Sequence, residues 1–234
     1  MTETDIEYFR LCFEKGLVKS PFLEVGSAKV QENTPNLCDL ARDFKVERVN
    51  GVDLSLENGV DFAFDFSLAS DVFRERWDHG FFETVAVFNV LEHTYDPIAV
   101  LRNALCCTAE SGTLIVVTPA IWPLHDFPGD YLRFMPHWHE TFASRSGLTL
   151  SRDTFCWLSQ FGIIRIDDLL HDGRYQLPSF LNAGRQDDVV RYWLSRFTHR
   201  VFNTFGRTHT LTNVAVGSVF TKDRRKAVHD RMYK

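Results

Sequence analysis

The chain carries no excess of basic residues: 26 Lys and Arg stand against 31 Asp and Glu, a formal net charge of -5 over 234 residues. A surface that neutralises phosphates needs a basic face, so nucleic acid is not expected as a partner. No apolar run reaches the length that spans a bilayer, and Met1-Thr2-Glu3-Thr4-Asp5 opens the chain with acids in place of an apolar leader. The expectation is a cytoplasmic protein with no membrane partner. The five cysteines, Cys12, Cys38, Cys106, Cys107 and Cys156, include no Cys-x-x-Cys pair. They fit small buried residues of a reducing compartment, and neither a disulfide framework nor a metal site is expected. A full Gly-x-Gly-x-x-Gly is also missing, because Gly26 is followed by Ala28 and Val30. There is no internal repeat and no low-complexity segment.

What is present is a hydrophobic content of 44%, ample for a core, in a chain of ordinary single-domain α/β size. Residues 4–18 set Ile6, Phe9, Leu11, Phe13 and Leu17 in helical period, so residues 1–19 form an N-terminal helix ending near Gly16. The segment from Pro21 to Asp53 then runs strand, Glu24-Val25-Gly26-Ser27 turn, helix and second strand ending in an acid. That order suits nucleotide binding, since a glycine lets the backbone approach a ligand and a terminal carboxylate can accept from ribose hydroxyls. An ordinary tight turn between core elements is the other reading. Thr34-Pro35 reads as the N-cap and first residue of the helix.

Further along, residues 60–66 alternate like a third strand, and 81–90 form a nearly continuous apolar run, as in a strand buried on both faces. Asp96-Pro97 opens a helix, Thr113 to Thr118 is another buried strand, residues 136–146 a helix, and 148–157 a strand. Residues 158–210 form an insertion with an amphipathic helix from Asp187, in which Trp193 and Phe197 share an apolar face suited to core packing or to a dimer interface. Residues 211–221 are the last strand. Strands alternating with helices at this spacing predict a doubly wound α/β sheet, with ligands bound beyond the carboxyl ends of its strands.

With this order in view, the chain resembles the class I S-adenosylmethionine-dependent methyltransferases, in their methyltransferase-11-like, small-molecule branch. The resemblance covers residues 20–157 and the last strand. It rests on Glu24-Val25-Gly26-Ser27, on Gly51-Val52-Asp53, on Val60 to Phe66, on Phe88-Asn89-Val90-Leu91-Glu92-His93 with Asp96-Pro97, on Glu110 to Leu114, and on His125 to Phe134. It implies a seven-stranded, mostly parallel Rossmann-like sheet with an antiparallel last strand, in a single domain whose core is 20–157 and whose lid is 158–210. It also implies S-adenosylmethionine as cofactor, held at Glu24, Gly26, Ser27, Asp53 and Leu54 on one side. Asp65, Phe66, Asn89 and Val90 belong to the same site. The implied activity is methyl transfer to a small molecule, with a sugar or secondary metabolite as candidate acceptor. No Asn-Pro-Pro-aromatic station follows Asn89, unlike nucleic-acid and protein-glutamine amino-methylases.

The chemistry asks for alignment and a water-poor site, with acid-base help where the acceptor must lose a proton. His93 and His125 follow strands at the expected ligand edge and are the candidate bases. A structural role at the helix start fits His93 slightly better than that of a base, and His125 adjoins Asp126. Trp122, Asp126, Tyr131 and Arg133 are candidate substrate contacts, although an Arg133–Asp130 pair would instead lock the loop. His137 and His139 read as helix-surface residues. Two other readings stay open: a catalytically degenerate ligand-binding or scaffold module, and a nicotinamide-dependent oxidoreductase on a similar half-fold.

Overall fold

Phe22–Val25 (β1) is buried at all four positions and hydrogen-bonded on both sides, which makes it the central strand on which the parallel half is built. The computed structural model describes residues 1–29, 34–125, 129–160, 162–178 and 213–222. Val49–Asp53 (β2) and Phe82–Phe88 (β4) flank β1 in parallel. The short Phe62–Ala63 (β3) lies outside β2, and Thr108–Ile121 (β5) runs beside β4. Val214–Lys222 (β11) is antiparallel to β5. Leu148–Leu150 (β6) and Cys156–Ser159 (β7) both pair with β11, and Gly162–Arg165 (β8) closes a hairpin on β7. The order is β3-β2-β1-β4-β5-β11-β7-β8, with β6 beside β11.

This is the doubly wound sheet that the alternation of strands and helices predicts, with the antiparallel last strand that the resemblance implies, and it is wider than the implied seven strands for a local reason. The stretch 148–157 is not one strand: a 3-10 turn at Arg152–Thr154 divides it into β6 and β7, and the β7–β8 hairpin then extends the edge. Leu170–His171 (β9) and Arg174–Tyr175 (β10) form a separate two-stranded ribbon. The amphipathic helix expected from Asp187, with its apolar face at Trp193 and Phe197, lies outside the described residues.

Helices cover both faces. Glu3–Glu14 (α1) and Leu37–Asp43 (α2) bury Tyr8, Phe9, Leu37 and Cys38 against Phe22, Phe88 and Val117. Ser70–Arg76 (α3), Pro97–Cys107 (α4) and Pro136–Arg145 (α5) bury Phe73, Leu101 and Phe142 against Leu23, Val85 and Leu114. Thr2 and Asp5 form a reciprocal capping box on α1, and Gly16, at φ 69°, follows its end in the left-handed region where glycine is unstrained. On α2 the cap is Asn36, boxed with Asp39, and not the Thr34-Pro35 pair expected from sequence. The side chain of Asn36 also donates to the Ser27 carbonyl at 2.8 Å, so the cap doubles as a clamp on the β1 turn and this position is selected over Thr34.

The attachment of α2 to β1 is unusual in running through a carboxylate inside the sheet. Glu24 accepts from Leu37 N at 3.1 Å and Cys38 N at 2.8 Å, satisfying two of the donors that a helix N-terminus leaves open. Burial lifts its pKa from 4.5 to about 7 in spite of those two donors. A carboxyl whose pKa is raised in the folded state adds stability below the unfolded value of 4.5 and loses it as pH rises through about 7. Glu24→Gln should therefore gain on the natural protein by about 3 kcal/mol across that window, on top of a pH-independent offset. Denaturant unfolding of both proteins over the same pH range measures the difference, and a gap that does not change with pH would refute titration of Glu24 there.

Candidate functional site

Strand order reverses between β1, which continues through β2, and β4, which continues through β5. The crevice of a doubly wound sheet opens at that point, beyond the carboxyl ends. Register brings Val25 level with Val52 and Val87, so Gly26 and Asp53, which follow directly, and Asn89, one residue further on, meet at one edge. Gly26 is required there twice over. Its φ is +84°, and a Cβ would lie 2.2 Å from Val90 Cγ2. The glycine lets the turn after β1 and the segment after β4 touch.

The turn uses its own donors internally. Gly26 N and Ser27 N both donate to the Val52 carbonyl, at 2.8 and 3.2 Å, and Ala28 N donates to Asp53 Oδ2 at 3.0 Å. Ser27 is fully buried, with its hydroxyl unpartnered among the described residues and its Oγ crowding Gly51, so its side chain supports the turn from below and any cofactor contact is left to its backbone. Glu24 is likewise engaged, with both oxygens on α2. Asp53 is only half-buried at the end of β2. Its oxygens accept from Ala28 N and Leu54 N, which leaves each with a further lone pair facing outward. Leu54 beside it is 64% exposed.

Asp65 follows β3, which is two residues long instead of the seven-residue strand expected. One oxygen, Oδ1, accepts from Ser67 N at 2.7 Å and Ser67 Oγ at 2.6 Å, and Oδ2 has no partner among the described residues. The neighbouring Phe66 does not face the edge. Its side chain is buried among Phe64, Phe73 and Trp77, which leaves its backbone as the part that could meet a cofactor. Asn103 of α4 holds this segment, donating to the carbonyls of Phe66 and Leu68 at 2.8 Å each. At the end of β4, Asn89 takes a left-handed φ of 52° and donates through Nδ2 to Asp5 Oδ2 at 3.0 Å. The side chain read as a cofactor ligand thus ties α1 to the site.

Beyond Val90, the 3-10 turn Leu91–His93 carries two groups of chemical interest. The Glu92 side chain is buried, its Oε2 lacks a hydrogen-bond partner among the described residues, and burial raises its pKa to about 7. The His93 Nδ1 contacts the Gly129 carbonyl, which can only accept, so Nδ1 carries the hydrogen and Nε2 the lone pair. Desolvation holds His93 below its ordinary pKa, and the neighbouring His125 adds to the effect. The two imidazoles meet edge to face at 4.8 Å between centroids. His125 Nδ1 in turn faces the Pro123 carbonyl at 3.3 Å and Asp130 Oδ2 at 3.4 Å, acceptors both, so in the neutral ring its Nε2 also presents a lone pair.

The loop that brings His125 here is held by Arg133. Its guanidinium grips both oxygens of Asp130, whose carboxyl is thereby held well below the usual range, and it donates to the carbonyls of Trp122, Pro123 and Leu132. Nearly all of its N–H groups are engaged, so Arg133 positions the loop and has little left for a substrate anion. Tyr131 N donates to the Glu92 carbonyl at 2.8 Å, which seats the loop on the 3-10 turn. Trp122, Leu124 and Tyr131 line an open cavity of about 260 Å³ with Asp130, Leu132 and Arg133. Asp126, the other expected substrate contact, lies outside the described residues. On α5, His137 is exposed, but His139 is fully buried between Thr118 Oγ1 at 3.0 Å and Ser218 Oγ at 2.9 Å, with burial lowering its pKa to about 3. It is a neutral core residue, and the reading of a surface histidine there is corrected.

Glu92 was not singled out by sequence reasoning. Its position before His93 hides it, because only the 3-10 turn brings the two side chains and the distant His125 together. Asp130 was seen only as a partner for Arg133, yet it also accepts from His125 N at 3.0 Å.

No family model and no curated protein matches the sequence. Among solved structures, the chain is similar to the O-methyltransferase from a trans-AT PKS multienzyme of Brevibacillus brevis, in complex with S-adenosyl-L-homocysteine, at 12% identity over 95% of this chain and 73% of that one, TM-score 0.50. It is also similar to the YcgJ protein of Bacillus subtilis, at 11% identity over 93% of this chain and 99% of that one, TM-score 0.51. A third is the 4+2 cyclase SpnF, at 15% identity over 93% of this chain and 81% of that one, TM-score 0.51. At these identities the likeness is one of fold, and the fold is the class I methyltransferase fold.

The contact at Gly26 gives a direct test of how the edge is assembled. Gly26→Ala should cost about 2 to 4 kcal/mol of stability through its positive φ and the collision with Val90. Adding Val90→Ala should return part of that loss, so the double variant should be less destabilised than the two single losses added together. Strict additivity in denaturant unfolding would show that the two residues do not collide.

Proposed function

We propose that this chain transfers the methyl group of S-adenosylmethionine to a small-molecule acceptor. The observation that carries the reading is the pair of half-buried carboxylates at consecutive strand ends, Asp53 after β2 and Asp65 after β3, both with accepting capacity to spare beside the Gly26 turn. That donor set fits the cofactor. Asp53 would accept from the ribose hydroxyls, Oδ2 of Asp65 from the adenine amine, and exposed Leu54 would lie against the nucleoside. When bound, S-adenosylmethionine supplies an electrophilic methyl for in-line displacement. The similarity in fold to an O-methyltransferase holding S-adenosylhomocysteine supports the same cofactor here.

This chain's own residues then have two tasks on the acceptor side. The loop clamped by Arg133 orients the acceptor, with Trp122 and Tyr131 offering aromatic surface. The rim is apolar: Tyr95, Leu124 and Tyr131 are 89%, 82% and 58% exposed, which suits a small organic acceptor carrying aromatic or aliphatic parts, a secondary metabolite or a substituted sugar. The Glu92, His93 and His125 group is where the acceptor's proton is managed. No helix among the described residues is long and apolar enough to cross a membrane.

A second reading has one observation in its favour. The turn N–H groups of Gly26, Ser27 and Ala28 are all used within the protein, which suits a ligand-binding module that has kept the fold without the transfer. SpnF, named as a cyclase, belongs to the same fold. Binding of S-adenosylhomocysteine without turnover of any acceptor would favour this reading.

Calorimetric titration with S-adenosylhomocysteine, with NAD as the control, tests both. The expected result is binding of the first alone, weakened by about 10- to 100-fold in Asp53→Ala, the scale of one charge-assisted hydrogen bond. Unchanged affinity in a variant that circular dichroism shows to be folded would remove Asp53 from the site and the cofactor assignment with it.

A further inference from the structure

The geometry points to a divalent metal site of the zinc type, formed by Glu92, His93 and His125. One ligand atom from each lies within 4.8 Å of the other two, and no other such group of three occurs among the described residues. Two histidines and one glutamate form a ligand set that suits Zn²⁺ with a coordination position left open. Two independent features turn proximity into a site. First, Glu92 is 1% exposed, and its Oε2 has no hydrogen-bond partner among the described residues, a buried acceptor that a cation would satisfy. Second, both imidazoles are already in the ligating tautomer. His93 gives its Nδ1 hydrogen to the Gly129 carbonyl, and His125 turns its own toward the Pro123 carbonyl and the Asp130 carboxylate. Each Nε2 therefore carries a lone pair, and each ring has the outer partner that metal-binding histidines need.

The ligand atoms stand slightly too far apart for a metal as they are. A tetrahedral ion at about 2.1 Å from each ligand holds them about 3.4 Å from one another, so one side chain turns inward on binding. His125 has that freedom, since its side chain is 41% exposed, whereas those of His93 and Glu92 are 14% and 1% exposed. The nearest cation, the Arg133 guanidinium, is paired with both oxygens of Asp130 and acts on Glu92 and His93 only through its charge. The chemistry of the set, nitrogen and oxygen with no thiolate, selects zinc or its first-row neighbours over calcium and magnesium. With three protein ligands, the open position suits an oxygen atom of the acceptor, which the ion would orient and polarise. That use rests on the methyl-transfer reading; the ligand set does not.

The test uses the full chain stripped with a chelator and titrated with Zn²⁺ and with Co²⁺. One equivalent of Zn²⁺ should bind and raise the melting temperature. Co²⁺ should give visible bands of a four- or five-coordinate centre without the near-ultraviolet thiolate band that binding at a cysteine would produce. His125→Ala, the least buried ligand and so the least disruptive change, should weaken Zn²⁺ binding by at least about 10-fold while leaving the fold intact. No stoichiometric uptake, a thiolate band, or affinity unchanged in His125→Ala would each overturn the site. Titration of S-adenosylhomocysteine into the same metal-free protein separates the two conclusions. Its binding without metal uptake removes the metal alone, and metal uptake without its binding removes methyl transfer alone.

Discussion

The carboxylate of Glu24 is the constraint on which the nucleotide half of the fold depends. It sits inside the central strand, where an aliphatic residue would bury more cheaply, and it spends both oxygens on the first N–H groups of α2. Desolvation works against it, as the raised pKa shows, and the two backbone donors with the positive end of the helix offset that cost. Because the anchor lies in β1, α2 cannot shift without moving the strand. Asn36, which caps α2, then reaches back to the Ser27 and Gly59 carbonyls, so helix, turn and the β2–β3 connection form one hydrogen-bonded unit. Asp53 inherits its position from that unit.

A second unit holds the acceptor side, and it is built from charge. The Arg133 and Asp130 pair sits next to the chemistry without taking part in it: the guanidinium collects three loop carbonyls as well as the carboxylate. A lysine could not reproduce that fork. The carboxylate in turn accepts from His125 N and faces the His125 ring. Removal of the arginine would therefore loosen the histidine through Asp130, without any contact between Arg133 and the imidazole. The two units meet where Gly26 approaches Val90, which places the turn beside Asp53 against the segment that leads into Glu92 and His93.

The sequence was most legible where function and local chemistry coincide. Asp96-Pro97 signals a helix start by an N-cap side chain and a fixed φ, and the structure has that cap, with Asp96 accepting from Ala99 N. Residues 81–90 announce a strand buried on both faces because Val85 to Phe88 is unbroken and only Glu83, Thr84 and Asn89 are polar. What depended on distant partners was illegible. The helix α3 has a single buried residue, Phe73, too little for a period, and it is held by the aromatic cluster of Phe64, Phe66 and Trp77. Phe66 followed the expected acid and was read as a site residue, yet its side chain belongs to that cluster. His139 looked like a surface residue on a helix of mixed polarity, because Ser218, its second partner, is 79 residues away.

The same distinction explains why Glu92 escaped notice while His93 did not. A histidine after a strand is conspicuous by type, but a glutamate beside it reads as the polar start of a helix. Only in three dimensions does the 3-10 turn bury the acid and leave Oε2 without a donor. Burying a carboxylate in that way costs several kcal/mol unless something compensates it. Glu24 shows how this protein deals with the problem elsewhere, by supplying two backbone N–H groups. At Glu92 the compensation is thinner, its own backbone N–H and the charge of Arg133 against the burial, and Oε2 finds no donor among the described residues. An apolar residue would fill the same space at lower cost. An acid retained among acceptors is thus accounted for by a positively charged species that joins all three, and the loop clamped by Arg133 keeps the third of them within reach.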